Sequence, residues 1–186
     1  MESLIKGLLG VIGAIERVAI GIAMVMMFAI MVIVASDVFM RYVFNSPFAW
    51  AYDLISLYLM AGVFFLAVSQ AYGAGAHVSV DILQQTFPPR AKRLSECVTC
   101  IVGLVAFALV ARFSFDRALD AYQSQDVIAG SIPWPTWPSI ALVPLGTGLL
   151  CLRLAVTLLG QLASLATGRD IIPAVANSHD TGEVFE

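Results

Sequence analysis

Four long stretches of the chain contain no charged residue, and they run over 18–36, 54–76, 97–111 and 127–152. Charged residues make up 12% of the 186 residues, whereas a soluble domain carries about a quarter. A helix needs about 20 mainly apolar residues to cross the hydrocarbon core, and it satisfies its own backbone hydrogen bonds there. The stretches therefore predict an all-α membrane protein with four transmembrane helices, at about 18–37, 53–76, 95–115 and 137–158.

The pattern fits a single four-helix transmembrane domain over residues 1–167. The third stretch is the weakest, and a buried soluble helix is the alternative for it. The first stretch is too long for the core of a signal peptide, and no convincing small-residue cleavage site follows it. Residues 3–16 are either an interfacial helix on the cytoplasmic leaflet or an extension of the first span. Residues 168–186 are polar and without periodicity, which predicts a flexible cytoplasmic tail.

The basic residues indicate how the spans are oriented. With four spans, both chain ends lie on one side of the membrane, and seven basic residues lie on that side against three on the other. The positive-inside rule then predicts cytoplasmic N- and C-termini. In a bacterial inner membrane, the loop between the first two spans would face the periplasm. The seven are Lys6, Arg17, Arg90, Lys92, Arg93, Arg153 and Arg169, and the three are Arg41, Arg112 and Arg117.

Residues 37–54, DVFMRYVFNSPFAWAYDL, form a charged and aromatic collar between the first two spans. Asp37 and Arg41 are four residues apart, so on a continuing helix they share a face and can pair. Asp53 lies in the first turn of the second span, where a carboxylate interacts favourably with the helix dipole. The collar is either a well-anchored hairpin or a docking surface for another polypeptide. Its interfacial aromatic residues are Tyr42, Trp50 and Tyr52, and its turn residues are Asn45, Ser46 and Pro47.

The end of the second span carries small residues followed by two polar ones. Ala67, Ala71 and Gly75 repeat every four residues, a pattern that lets helices approach closely. His77 and Asp81 follow, again four apart, and could hydrogen-bond to each other. A lone interfacial histidine is usually a structural group, so no metal or haem site is predicted here.

Prolines dominate the approach to the fourth span. Pro133, Pro135 and Pro138 predict that no regular helix forms on this approach, because proline removes a helical hydrogen bond. Trp134 and Trp137 suit the membrane interface.

Two residues inside the fourth span are unusual for a transmembrane helix. Pro144 would kink it, and a broken helix can line a binding site, although a packed kink is the commoner outcome. Arg153 is interpreted as snorkelling to the cytoplasmic face, with burial against a partner as the alternative.

Cys97 and Cys100 form a CxxC motif, and Cys151 is the only other cysteine. A thiol–quinone oxidoreductase relays electrons by thiol–disulfide exchange, usually through a second cysteine pair, which this chain lacks. Cysteine on an apolar helix is usually a small packing residue.

The motifs of catalysis and of autonomous transport are missing from the sequence. The chain has no catalytic triad, nucleotide-binding loop or metal cluster, and the first three spans carry no charge near their centres. An autonomous transporter normally has ionisable residues at that depth. The sequence therefore favours a non-catalytic membrane subunit, without a cofactor, that acts through a partner. The alternatives are a four-helix thiol–quinone oxidoreductase built on the CxxC motif and an autonomous four-span carrier.

Three motifs together resemble those of the small membrane subunit of tripartite ATP-independent periplasmic (TRAP) transporters. The collar resembles D-V-x-x-R-Y-x-F-x-x-P followed by Trp and an acidic residue, and AHVSVDIL is similar to G-x-H-I-x-V-D-x-L. PTW followed by PLG resembles the family's closing P-x-W and P-x-G. Asp53 stands where glutamate is usual, and no basic residue precedes His77. The matching residues are Asp37, Val38, Arg41, Tyr42, Phe44, Pro47, Trp50, Asp53, Gly75, His77, Val80, Asp81, Leu83, Pro135, Trp137, Pro144 and Gly146.

The resemblance implies a three-part importer of small organic acids that uses a sodium or proton gradient. A soluble periplasmic protein would capture the carboxylate, and a large membrane subunit would move it across the inner membrane. This chain would brace the large subunit as a membrane-embedded scaffold and could contact the binding protein. The expected partners are these two proteins and membrane lipids, with no nucleic acid. The expected structural and partner-interface residues are Asp37, Arg41, Tyr42, Pro47, Trp50, Asp53, Ala67, Ala71, Gly75, His77, Asp81, Pro135, Trp137, Pro144, Gly146 and Arg153.

Overall fold

The computed structural model describes residues 2–74, 89–128 and 132–167. Within these residues, four helices are long and apolar enough to cross a membrane, which confirms the predicted all-α four-span fold. The first, third and fourth predicted spans each lie inside one of the helices, and the described part of the second does so except for Ala74, which follows the helix. They are α1 (Glu2–Phe44), α2 (Ala51–Gly73), α3 (Pro89–Gln123) and α4 (Trp137–Thr167).

The predictions for the region after α2 and for the end of the chain cannot be compared with the structure. Gly75, His77 and Asp81 lie outside the described residues, as does the tail 168–186.

Helix α1 is continuous from Glu2, so the segment 3–16 extends the first span and is not a separate interfacial helix. Its 43 residues correspond to about 64 Å at 1.5 Å per residue, roughly twice the hydrocarbon thickness. The early part of α1 packs against the late part of α4, where Ile12 and Val156 are both buried. Packing on α4 explains why this segment stays in line with the bundle.

Helix α2 changes its winding close to its start. Ala51–Leu54 and Met60–Gly73 are α-helical, and Ile55–Leu59 between them form a π-helical turn. A single π turn inserts one extra residue into the helix and shifts the direction of the side chains that follow.

Helix α4 lies at the centre of the bundle and is the most buried of the four candidate spans. It packs against α3, α2 and α1. Leu150 and Leu154 are almost fully buried in its core-facing surface, together with Cys100 of α3. We call the end of the bundle near residues 37–54 the collar end, and the opposite end, near the start of α1, the terminal end.

A short strand pair closes the collar end between α3 and α4. Strands β1 (Val127–Ile128) and β2 (Trp134–Pro135) pair in an antiparallel register, with Ile128 opposite Trp134. The predicted lack of helix at Pro133 and Pro135 is therefore correct. The same prediction is wrong for Pro138, which lies in the first turn of α4, where a helix does not need the missing N–H group.

Candidate functional site

Asp37 organises the collar. One of its carboxylate oxygens accepts a hydrogen bond from the Arg41 guanidinium at 2.9 Å, and the other accepts one from the backbone N–H of Phe48 at 2.7 Å. The predicted ion pair between Asp37 and Arg41 is thus confirmed. The second contact joins the end of α1 to the turn eleven residues later, so this carboxylate ties the turn to the helix.

The turn itself requires an unusual backbone conformation. Asn45 has a φ of 51°, in the left-handed region that asparagine tolerates better than most residues. Phe48 and Trp50 then stack with ring centroids 5.4 Å apart. Pro47 lies between these features in the irregular part of the turn.

The collar exposes a cation and aromatic rings on its outer surface. Arg41 keeps 62% of its side-chain surface exposed while paired with Asp37, and Tyr42 and Tyr52 are 84% and 78% exposed. Asp53 occupies the first turn of α2 as predicted, but the structure shows no ion pair between Asp53 and Arg41. This surface can bind another molecule through charge and ring contacts.

Aromatic contacts connect three helices at the same end of the bundle. Tyr58, which lies in the π turn of α2, donates a hydrogen bond to the carbonyl oxygen of Pro135 and packs on Trp134 at a centroid distance of 5.8 Å. Tyr122 near the end of α3 packs edge-on against Trp137 at 5.5 Å. Trp134 and Trp137 therefore hold α2, α3 and α4 together, a role that the sequence did not indicate.

A buried polar node connects three helices at the terminal end, and we define it by Glu16, Ser69 and Arg153. The Ser69 hydroxyl donates to one carboxylate oxygen of Glu16 at 2.6 Å, and the Arg153 guanidinium donates to the other. Glu16 is 3% exposed and Ser69 is fully buried. The interpretation of Arg153 as a snorkelling residue is wrong, because its charged group points into the bundle toward Glu16.

The node satisfies charges that would be unfavourable alone. An arginine within a transmembrane helix is costly to insert, up to about 2.5 to 3.5 kcal/mol at the helix centre on insertion scales, and an unpaired buried carboxylate is also unfavourable. Gly73 leaves room for the Arg153 guanidinium in its present position, since a Cβ on residue 73 would overlap it. Sequence reasoning missed Glu16, Ser69 and Gly73. The available signal was Glu16 itself, an acidic residue two positions before a long apolar run.

Glycines determine how closely the helices pack. A Cβ on Gly146 of α4 would overlap the backbone carbonyl of Phe65, and one on Gly62 would overlap the Met26 side chain. Gly146 was a motif residue, whereas Gly62 was not recognised from the sequence. Ala67 and Ala71 are partly buried on α2, and their predicted role in close packing stays a prediction.

The cysteines lie in apolar packing positions. Cys97 and Cys100 are buried and none of the three cysteines forms a disulfide. Cys100 packs with Leu150 and Leu154, and its sulfur lies 3.5 Å from the Tyr72 hydroxyl. In the part of the chain that the structure describes, no group of three or more His, Cys, Asp or Glu residues could hold a metal ion.

A comparison with protein families identifies a family that matches most of the chain. The family described as tripartite ATP-independent periplasmic transporters, DctQ component, matches residues 30–164. The match includes the collar and two members of the polar node, Ser69 and Arg153, and it begins after Glu16. No curated protein matches the chain.

Proposed function

The chain belongs to the DctQ family of tripartite ATP-independent periplasmic transporters, and we propose that it braces the large membrane subunit of an importer for small organic acids. It is a multi-pass membrane protein and the small membrane subunit of a tripartite ATP-independent periplasmic transporter. Members of the family work with a large membrane subunit and a periplasmic binding protein. The substrate class, the bracing role and a location in the bacterial inner membrane belong to the proposal.

The strongest support for this proposal is that the two charged residues of the polar node pair with each other inside the bundle. Arg153 is the only charged residue of α4, and it pairs with the buried Glu16. A carrier that binds solute near the middle of the membrane needs ionisable or discontinuous elements there. In the fourth span, the cation that could bind a carboxylate substrate is already paired with Glu16. The solute and the coupling sodium ion or proton would then bind to the large subunit.

The connections at the two ends of the bundle fit a brace. The polar node joins α1, α2 and α4 at the terminal end, and the aromatic contacts of Trp134 and Trp137 join α2, α3 and α4 at the collar end. Helices tied at both ends resist sliding, because each sliding motion breaks a buried polar contact or separates packed rings. A rigid bundle can hold the fixed part of a moving partner.

Reconstitution into proteoliposomes tests the proposed function. We expect uptake of a labelled carboxylate, drawn from a panel of dicarboxylates and sugar acids, only when this chain, the large subunit and the binding protein are all present. The chain alone should give no uptake above that of empty liposomes under a sodium or proton gradient. Gradient-driven uptake by this chain alone would contradict the proposal and favour an autonomous carrier.

Replacing Arg41 with Ala tests whether the collar is the partner contact. We expect the affinity for the large subunit to fall roughly thirtyfold, and complex yield and uptake to fall with it, because the loss of a central interface arginine costs about 2 kcal/mol or more. The thermal midpoint of the isolated chain should change little, since an exposed ion pair contributes about 1 kcal/mol or less. Affinity purification of the complex and the uptake assay give the two measurements.

Arg112→Ala is the matched control for this test. Arg112 also belongs to an exposed i, i+4 pair, with Asp116 at 3.3 Å, and it lies on α3, outside the collar. We expect this variant to keep normal complex yield and uptake. If Arg41→Ala behaves in the same way, the collar is only a well-anchored hairpin.

A further inference from the structure

Helix α4 contains several residues that disfavour its entry into lipid. Arg153 is its only charged residue, Pro144 lies inside the helix, and the polar Thr157 and Gln161 are buried against other helices. Charged residues are among the most costly in a membrane-spanning helix, and proline removes a backbone hydrogen bond. In contrast, α1 contains an uninterrupted apolar stretch from 18 to 36. The two helices therefore differ in how well each can insert by itself.

The acceptor for Arg153 is built by the first two helices. Glu16 of α1 and Ser69 of α2 hydrogen-bond to each other at 2.6 Å, and both are synthesised before α4. The second carboxylate oxygen of Glu16 accepts from Arg153. The α1–α2 hairpin thus supplies both the anion and the hydroxyl group that bonds to it, at the place where the guanidinium of α4 lies in the folded bundle.

We propose that Glu16 retains the fourth helix in the membrane during insertion. The carboxylate neutralises Arg153 as α4 enters, so that a helix with a charge and an internal proline stays across the bilayer. Glu16 then has a role in setting the topology of the chain, in addition to its contact in the folded bundle. The dependence runs in one direction, since α4 needs Glu16 in order to insert, whereas α1 inserts without Arg153.

That direction distinguishes a topological role from a purely stabilising one. Without Glu16, α4 must enter with an unpaired cation. Without Arg153, α4 is more apolar and enters easily, while Glu16 keeps its hydrogen bond from Ser69. A pair that only stabilises the folded state would give similar defects when either partner is removed.

Reporter fusions at the C-terminus of the full chain can measure this difference. Alkaline phosphatase is active only outside the cytoplasm, and green fluorescent protein is fluorescent only inside it. We expect the ratio of phosphatase activity to fluorescence to move roughly tenfold away from the wild-type value in Glu16→Leu, which corresponds to about 1.4 kcal/mol. The ratio in Arg153→Leu and in the double variant Glu16→Leu/Arg153→Leu should equal that of the wild type.

The outcomes separate clearly. Recovery of the wild-type ratio in the double variant supports the proposal, because the cation that needed Glu16 is then absent. A wild-type ratio in Glu16→Leu, or an equal change in both single variants, overturns it. Because each ratio is compared with that of the wild type, the test is valid whichever side the C-terminus occupies.

Discussion

Gly146→Ala is expected to destabilise the isolated chain although it adds only one methyl group. The new Cβ would overlap the carbonyl oxygen of Phe65, and a backbone atom cannot move aside as a flexible side chain does. Helices α2 and α4 would have to separate, and overpacking of this kind costs about 1 to 3 kcal/mol. The thermal midpoint of the purified chain in detergent should therefore fall clearly, and less of the protein should be monodisperse on size exclusion.

Two other glycines provide matched controls for this prediction. Gly148 lies two residues after Gly146 in the same helix, and a Cβ there meets no atom within 4 Å. Gly148→Ala should therefore keep or raise the thermal midpoint, because alanine favours the helix by about 1 kcal/mol relative to glycine. Gly62→Ala should be intermediate, since its neighbour is the flexible Met26 side chain. Equal midpoints for the Gly146 and Gly148 variants would show that α2 and α4 are not in close contact at Phe65.

The parts of the fold that depend on local sequence were predictable. The four spans follow from uncharged stretches long enough to cross a bilayer, and the structure places a helix at each. The pairing of Asp37 with Arg41 follows from a spacing of four residues on a helix, whatever lies around them. The N-terminal part of α1 was ambiguous, because an interfacial helix and a continuous helix both place Leu8 and Ile12 on the same face.

The polar node was not predictable by the same reasoning. Glu16 and Arg153 are 137 residues apart in the chain, and their contact depends on α1 and α4 lying side by side in antiparallel directions. Nothing local to Arg153 distinguishes a snorkelling arginine from a paired one. The acidic residue near the start of the first span could be seen in the sequence, but its partner could be identified only from the arrangement of the helices.

The arrangement at the collar end depended on distant contacts as well. The π turn in α2 has no obvious local signal, and its residue Tyr58 bonds to Pro135 across 77 residues of sequence. Tryptophans near a membrane interface are commonly anchors at that depth. The role of Trp134 and Trp137 in joining helices follows only from their contacts with Tyr58 and Tyr122 in the structure. The sequence shows that Gly62 and Gly146 are small residues, but it does not show which atoms each of them approaches.

The two ends of the molecule suggest a division of roles that fits a small transporter subunit. The terminal end is tied internally through the buried charges of Glu16 and Arg153. The collar end exposes Arg41 and two tyrosines on a turn that Asp37 holds in place. In the proposed bracing role, the terminal end would hold the bundle together and the collar end would contact the partner proteins.

Reversing one charge of the polar node is expected to prevent folding, and reversing both should partly restore it. Glu16→Arg places two guanidinium groups together in a site that is almost fully buried. Breaking a buried pair costs about 3 to 5 kcal/mol, a large share of the roughly 5 to 15 kcal/mol that stabilises a typical protein. We therefore expect almost no monodisperse protein from Glu16→Arg or from Arg153→Glu alone.

The double variant Glu16→Arg/Arg153→Glu restores opposite charges at the same place. Ser69 can accommodate the exchange because its hydroxyl group can accept from an arginine as well as donate to a carboxylate. Recovery should be partial, since Gly73 is fitted to a guanidinium and not to the shorter carboxylate. Reversal of the exposed Arg112 to Glu is the control, and it should change the midpoint little because exposed pairs contribute about 1 kcal/mol or less. If either single reversal at the node yields as much monodisperse protein as the wild type, Glu16 and Arg153 do not form a buried pair.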